Sequence, residues 1–340
     1  MKISSKKSKQ TIFSTFFMLV CAAFLAAGCA QKPISSGYQT QALPTIPVQN
    51  LPQGLPGLPR VHLFRPYTQV KANGSGSLMT YHGGSVMRTT STSYVIFWEP
   101  RTLGDGFPTH VSKTYNTLLE RYFHDIGGSG LYQNNIQYYD KTGNIVNSST
   151  FGGAWLDTST YPFPACFDLI TPHGCLSDAQ IQGEVTKAMH VNHWTGGLNH
   201  LFFVYTSWGE GSCSDPSSCA FSDYCAYHSY YTLGKQAVLY ANMPYTATLP
   251  EGCMTQKSPN NDSDADSTIS ITSHEQMEAI TDPQISAWYE GNQVEIGDKC
   301  AWNFGNVSLD GGKANVEWNG HYYLVQQEWS NARKGCTLQG

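Results

Sequence analysis

The sequence has no Gly-x-Ser-x-Gly elbow, no P-loop and no dinucleotide fingerprint. Their absence removes the usual signatures of α/β-hydrolase, nucleotide-hydrolysing and nicotinamide-dependent chemistry. None of the ten cysteines forms a CxxC pair, so a cysteine-ligated zinc of common spacing is not expected. There is no basic block in the body of the chain, and the formal net charge is −5. Nucleic acid is therefore not an expected partner. Internal repeats are also lacking.

What is present begins at the N-terminus. Lys2, Lys6, Lys7 and Lys9 precede an apolar stretch from Ile12 to Ala27, which ends in Ala26-Ala27-Gly28-Cys29. The stretch is short for a membrane span, which needs about 20 residues, and the three-part layout is that of a secretory signal peptide. Leu-Ala-Ala-Gly-Cys resembles the lipobox of bacterial lipoproteins, so residues 1–28 are read as a lipoprotein-type signal peptide. The expected location is outside the cytoplasm, either in the cell envelope, held to the membrane by a lipid on Cys29, or released. Removing residues 1–28 takes four lysines and no acids, which moves the net charge from −5 to −9.

Residues 29–77 are rich in proline, with Gln, Gly, Ser and Thr between. Such a segment cannot bury enough apolar surface to offset its ordering entropy and is expected to be an extended tether. Residues 78–340 have one continuous globular composition and are expected to form one domain. Setting aside Cys21 and Cys29 leaves an even set of eight cysteines, which in an exported chain reads as four disulfides. Eight cysteines allow 105 pairings, so the sequence does not fix connectivity. Short loops favour Cys166–Cys175 and Cys213–Cys219, with Cys225–Cys253 and Cys300–Cys336 as a guess for the rest.

Strands are expected at Tyr94–Trp98, Leu201–Tyr205 and Ala237–Tyr240, and helices over 110–125 and 177–191. Asn319-Gly320 between two apolar runs predicts a C-terminal β-hairpin. Interleaved strands and helices give a mixed α/β fold with a central sheet, stapled by disulfides.

One segment carries chemistry: Ser273-His-Glu-Gln-Met-Glu-Ala-Ile-Thr-Asp-Pro283. Pro283 biases Asp282 away from helix, so a helix should end there. His274 and Glu278 then lie one turn apart on one face, with Glu275 at its edge. The pattern is close to His-Glu-x-x-His, in which two histidines bind zinc and the intervening Glu activates water. Here Glu278 stands for the second histidine, and carboxylate oxygen is an accepted zinc ligand. Asp298, twenty residues beyond Glu278, is the expected third ligand, with Glu295 as competitor. The expected set is thus His274, Glu278 and Asp298 as ligands of Zn2+, with Glu275 as general base. The other histidines lack such spacing, and His190, His193 and His228 read as structural or surface residues. Asp262, Asp264 and Asp266 depart from a calcium loop at its sixth and twelfth positions and read as a solvated turn.

Several segments together resemble the Exordium, or phosphate-induced protein 1, family: Tyr81-His-Gly-Gly84, Ser273–Pro283, Ala287-Trp-Tyr289, Glu295-Ile-Gly-Asp-x-Cys300, and Tyr323-Leu-Val-Gln326 through Trp329 to Cys336. The resemblance runs from about residue 80 to 340. It implies a cell-surface or extracellular setting and a Cys300–Cys336 disulfide, and it implies no particular reaction. The resulting expectation is a surface or secreted protein with a metal-dependent, metallopeptidase-like hydrolase site, acting on an extracellular peptide or cell-wall substrate. The alternative is a non-catalytic cell-wall or glycan-binding protein, using the twenty tyrosines and eight tryptophans on exposed loops.

Overall fold

The computed structural model of the chain describes residues 61–69 and 76–340. Its centre is a six-stranded sheet. The strands are β1 (Val61–Phe64), β2 (Ser91–Trp98), β3 (Ser149–Asp157), β4 (His200–Thr206), β5 (Ala226–Leu233) and β6 (Gln236–Met243), and their spatial order is β1-β5-β6-β4-β2-β3. β1, β5 and β6 pair antiparallel, while β6, β4, β2 and β3 pair parallel. The parallel half explains the near-continuous apolar runs of β2 and β4, since strands covered on both faces lose the alternation of a half-exposed sheet.

Three helices cover the sheet: α1 (Tyr115–Asp125), α2 (Asp178–Asn192) and α3 (Ser263–Thr281). Side chains two apart on a strand share a face. Phe203 packs against Phe123 of α1, with ring centroids 4.9 Å apart, and the Tyr205 hydroxyl lies 2.9 Å from that of Thr272 on α3. α1 and α3 therefore share one side. On the other side the hydroxyls of Tyr227 and Tyr240 donate to Asp178 in the first turn of α2, at 2.7 and 2.5 Å. Ser177 and Gln180 close a capping box on α2, an arrangement typically contributing about 1 kcal/mol.

The C-terminal hairpin pairs β7 (Val316–Trp318) with β8 (His321–Tyr323) through Asn319 and Gly320, both at positive φ, as a two-residue primed turn requires. Four disulfides close Cys166–Cys175, Cys213–Cys219, Cys225–Cys253 and Cys300–Cys336. Among the described residues no helix is long and apolar enough to cross a membrane.

Two expectations are corrected. The tether was expected to reach residue 77, yet Val61–Phe64 forms an edge strand with His62 and Phe64 buried. The reason is local: Val-His-Leu-Phe alternates with the two-residue period of a strand, and its even positions meet the core. The acidic turn is also not solvated. Asp262 is the N-cap of α3, Asp264 accepts a hydrogen bond from Tyr245, and Asp266 binds Ser258 and Asn260 and is 2 % exposed. The signal segment with Cys29, and residues 29–60 and 70–75 of the expected tether, lie outside the described residues.

Candidate metal centre

Helix α3 starts from the Asp262 carboxylate, which accepts from the Ala265 N–H at 3.1 Å and is itself held by Ser112 and Thr114. From Ala265 to Thr281 every side chain is buried. A polar helix in that position must find partners for its side chains. Along one stripe it does: Thr268, Thr272 and Gln276 meet the hydroxyls of Tyr115, Tyr205 and Tyr122 at 3.1, 2.9 and 2.8 Å. The neighbouring stripe differs. Ser273 Oγ, His274 Nε2, both Glu275 oxygens and Glu278 Oε2 are buried without a hydrogen-bond partner. An unsatisfied buried polar atom costs about 1–3 kcal/mol, and more when charged.

The sheet supplies the facing wall. His62 on β1 and His228 on β5 are direct cross-strand partners with ring centroids 5.6 Å apart. Both nitrogens of His228 are buried without a hydrogen-bond partner. The third wall is the turn from Glu295 to Cys300, tied down by Cys300–Cys336 and by the Asp298 N–H, which donates to Glu278 Oε1 at 3.0 Å.

These walls converge closely. His274 Nε2 lies 3.1 Å from Glu278 Oε1 and 3.9 Å from Asp298 Oδ1. His62 Nε2 lies 2.7 Å from Asp298 Oδ2 and 3.6 Å from Glu278 Oε2, and its Nδ1 is 3.1 Å from Glu295 Oε1. His228 Nε2 lies 3.4 Å from Glu295 Oε2 and 3.8 Å from Glu278 Oε2. Glu278 stands at the centre. Only Asp298 and His62 have appreciable side-chain exposure, 21 % and 8 %, so the cluster opens on their side.

The electrostatics follow from burial and crowding. Burial alone would lower the His62 pKa, but the Asp298 and Glu278 carboxylates outweigh it and raise it to about 9. Burial, and then the nearby His62 and His274, push His228 well below the ordinary imidazole range. Burial opposes ionisation of Asp298, yet His62 and His274 hold its pKa below the usual carboxylate value. Glu275 and Glu295 are pushed well above theirs, first by burial and then by neighbouring carboxylates. Asp282, which caps the turn to Ser286 and Ala287, is raised to about 6 by burial.

Two supporting residues set the geometry. Gln326 Nε2 lies 2.7 Å from His274 Nδ1 and 3.1 Å from Gly297 O, which orients the ring with Nε2 toward the carboxylates. A Cβ at Gly297 would sit 2.5 Å from His274 Nδ1 and 3.0 Å from Glu278 Oε1, so only glycine lets the turn approach this closely.

His274, Glu278 and Asp298 are thus brought together, and Glu295 joins them, so the two acids offered as alternatives occupy the same cluster. Glu275 is fully buried on the same helix. Sequence reasoning missed His62 and His228. His62 lay in the stretch assigned to the tether, and the alternation of Val61–Phe64 was the signal that could have found it. His228 was read as structural or surface, whereas it faces the carboxylates. Three imidazoles and three carboxylates, several without other partners, fit a divalent cation of the zinc or first-row transition type.

Fold and cluster together define a disulfide-stapled α/β domain with a buried histidine–carboxylate centre. Two Arabidopsis thaliana proteins are similar to part of the chain. Protein EXORDIUM-like 3 is 34 % identical over 96 residues, which is 24 % of this chain and 28 % of that protein. Protein EXORDIUM-like 5 is 30 % identical over 95 residues, 23 % of this chain and 26 % of that protein. The chain thus matches about a quarter of the length of these relatives. The similarity supports the Exordium resemblance. No protein-family model matches the chain, and no solved structure does. Four disulfides, taken with the plant relatives, fit a secreted or extracellular setting.

Proposed function

We propose that this chain is an exported, Exordium-like protein whose buried cluster is the metal centre of a hydrolase, with zinc as the first-choice ion and a peptide bond as the substrate. The observation that carries this reading is the convergence of His62, His228, His274, Glu278, Glu295 and Asp298 from two strands, a helix and a turn, with His228 Nε2, His274 Nε2, Glu278 Oε2 and both Glu295 oxygens lacking hydrogen-bond partners. A bound divalent ion would supply Lewis acidity, lowering the pKa of water toward 7 and polarising a carbonyl. Glu275, next to His274 on α3, would take the proton from that water. Asp298 and His62 form the accessible side, where substrate would enter. Beyond the Phe64 ring, which lies tilted 3.9 Å from His274 and stacks 5.0 Å from Trp302, lies a cavity of about 260 Å³ lined by Tyr67, Met254, Trp302 and Phe304. It would take an apolar side chain of the substrate.

The glycan-binding alternative relied on aromatic residues on loops. Ten tyrosines are instead fully buried, while Tyr67, Tyr139, Phe163 and Phe167 stay exposed.

The test combines metal analysis with a peptide-library screen, with and without chelator. Wild type should cleave in a chelator-sensitive way, and Glu275→Gln should keep its metal while losing turnover by about 100-fold or more. A Glu275→Gln protein with wild-type turnover would overturn the assignment of Glu275. Wild type that holds no divalent ion would overturn the metal centre.

A further inference from the structure

The cluster has more donors than one tetrahedral ion uses. Two donor sets overlap in it: His62, Glu278 and Asp298 form one, and His228, Glu278 and Glu295 form the other, with the ligating atoms of each within 4.8 Å of one another. Glu278 is common to both, and its Oε2 lies 3.6 Å from His62 Nε2 and 3.8 Å from His228 Nε2. His62 and His228 otherwise take different acids. His62 Nε2 turns to Asp298 at 2.7 Å, whereas His228 Nε2 turns to Glu295 at 3.4 Å.

From these positions we infer that the centre binds two divalent cations bridged by the Glu278 carboxylate, one on His62 and Asp298, the other on His228 and Glu295. The inference rests on reading the cluster as a metal site and adds to it the number of ions and their division of ligands.

Charge points the same way. Glu275, Glu278, Asp282, Glu295 and Glu328 are fully buried, and Asp298 lies against them. Among the described residues no lysine or arginine forms an ion pair with any of the six. Buried carboxylates need compensating charge. Each donor set holds two carboxylates, and a dication on each would supply the positive charge those two acids need when ionised. His228 strengthens the case independently. It is fully buried, neither ring nitrogen has a hydrogen-bond partner, and Nε2 faces two carboxylates. Carboxylate-bridged pairs of ions about 3.5–4 Å apart recur in hydrolytic enzymes, where they clamp attacking and leaving oxygens.

The experiment is a count. Full-length mature protein is stripped with chelator, reloaded with Zn2+ or Mn2+, desalted, and analysed for metal per chain, with native mass spectrometry in parallel. Two ions per chain is the expected result, falling to one in His228→Gln and in Glu295→Gln. With manganese, spin coupling between the ions should appear in the electron paramagnetic resonance spectrum of wild type and vanish in either variant. One ion in wild type, without coupling, overturns the two-ion inference and leaves the proposed metal centre standing. No ion overturns both. The wild-type count decides the matter even where a variant fails to fold.

Discussion

At the scale of single residues, the site depends on a missing side chain as much as on those present. Gly297 lets the Glu295–Cys300 turn lie against the His274 ring, and Gly297→Ala would force its Cβ to 2.5 Å from Nδ1. This substitution should weaken metal binding by about 10–100-fold, the range typical of disturbing a group that orients a ligand. Competition with a chelator of known affinity would read the change, and unaltered affinity would show that the turn can shift freely.

Glu210 offers a pH test away from the cluster. Burial, and secondarily the charge of Asp105, raise its pKa to about 8 from an ordinary 4.5. A carboxyl whose folded pKa is raised favours folding most at low pH, below its unfolded value. That contribution is lost progressively as pH rises from about 4.5 to about 8. Glu210→Gln should therefore narrow the difference in stability between pH 5 and pH 8 by on the order of 1–3 kcal/mol. Denaturant titrations of both proteins at the two pH values measure it. An unchanged difference would show that Glu210 does not carry the effect.

At the scale of elements, what could be read from sequence was what local spacing encodes. The apolar runs gave β2, β4 and β6, Pro283 marked the end of α3, and Asn319-Gly320 gave the hairpin. The His274–Glu278 pair was also legible, because a helix places residues four apart on one face. His62 and His228 were not. They meet because β1 pairs antiparallel with β5 in a register that sets them opposite each other, a relation between segments 166 positions apart with no local trace. The short alternation of Val61–Phe64 was outweighed by the prolines before it. Pairing of Cys225 with Cys253 was likewise a guess, since cysteine spacing does not encode connectivity.

The edge strand gives a direct test. A chain beginning at residue 78 lacks β1 and with it His62, whereas one beginning at Gly54 keeps both. The shorter protein should lose metal and melt several degrees lower, because it uncovers the β5 edge and removes a ligand. Equal metal content and equal melting temperature in the two would show that β1 is dispensable.

At the scale of the whole molecule, the lipobox-like Cys29 ahead of a proline-rich stretch makes the expected lipid anchor a testable proposal. Cys29→Ser should move the protein from the membrane fraction to the soluble fraction while leaving the domain's metal content and melting temperature unchanged. Retention in the membrane fraction would contradict anchoring through that cysteine.

The central claim is that three histidines and three carboxylates on four separate segments form one metal centre. Anomalous scattering, recorded on both sides of the zinc absorption edge from crystals of protein purified without added metal, tests it most directly. The account predicts strong anomalous density among His62, His228, His274 and Glu278, absent below the edge, and resolved into two peaks if the ions are bridged by Glu278. A map with no peak there at the edge of any divalent metal the protein carries, or with peaks only elsewhere on the molecule, would contradict it.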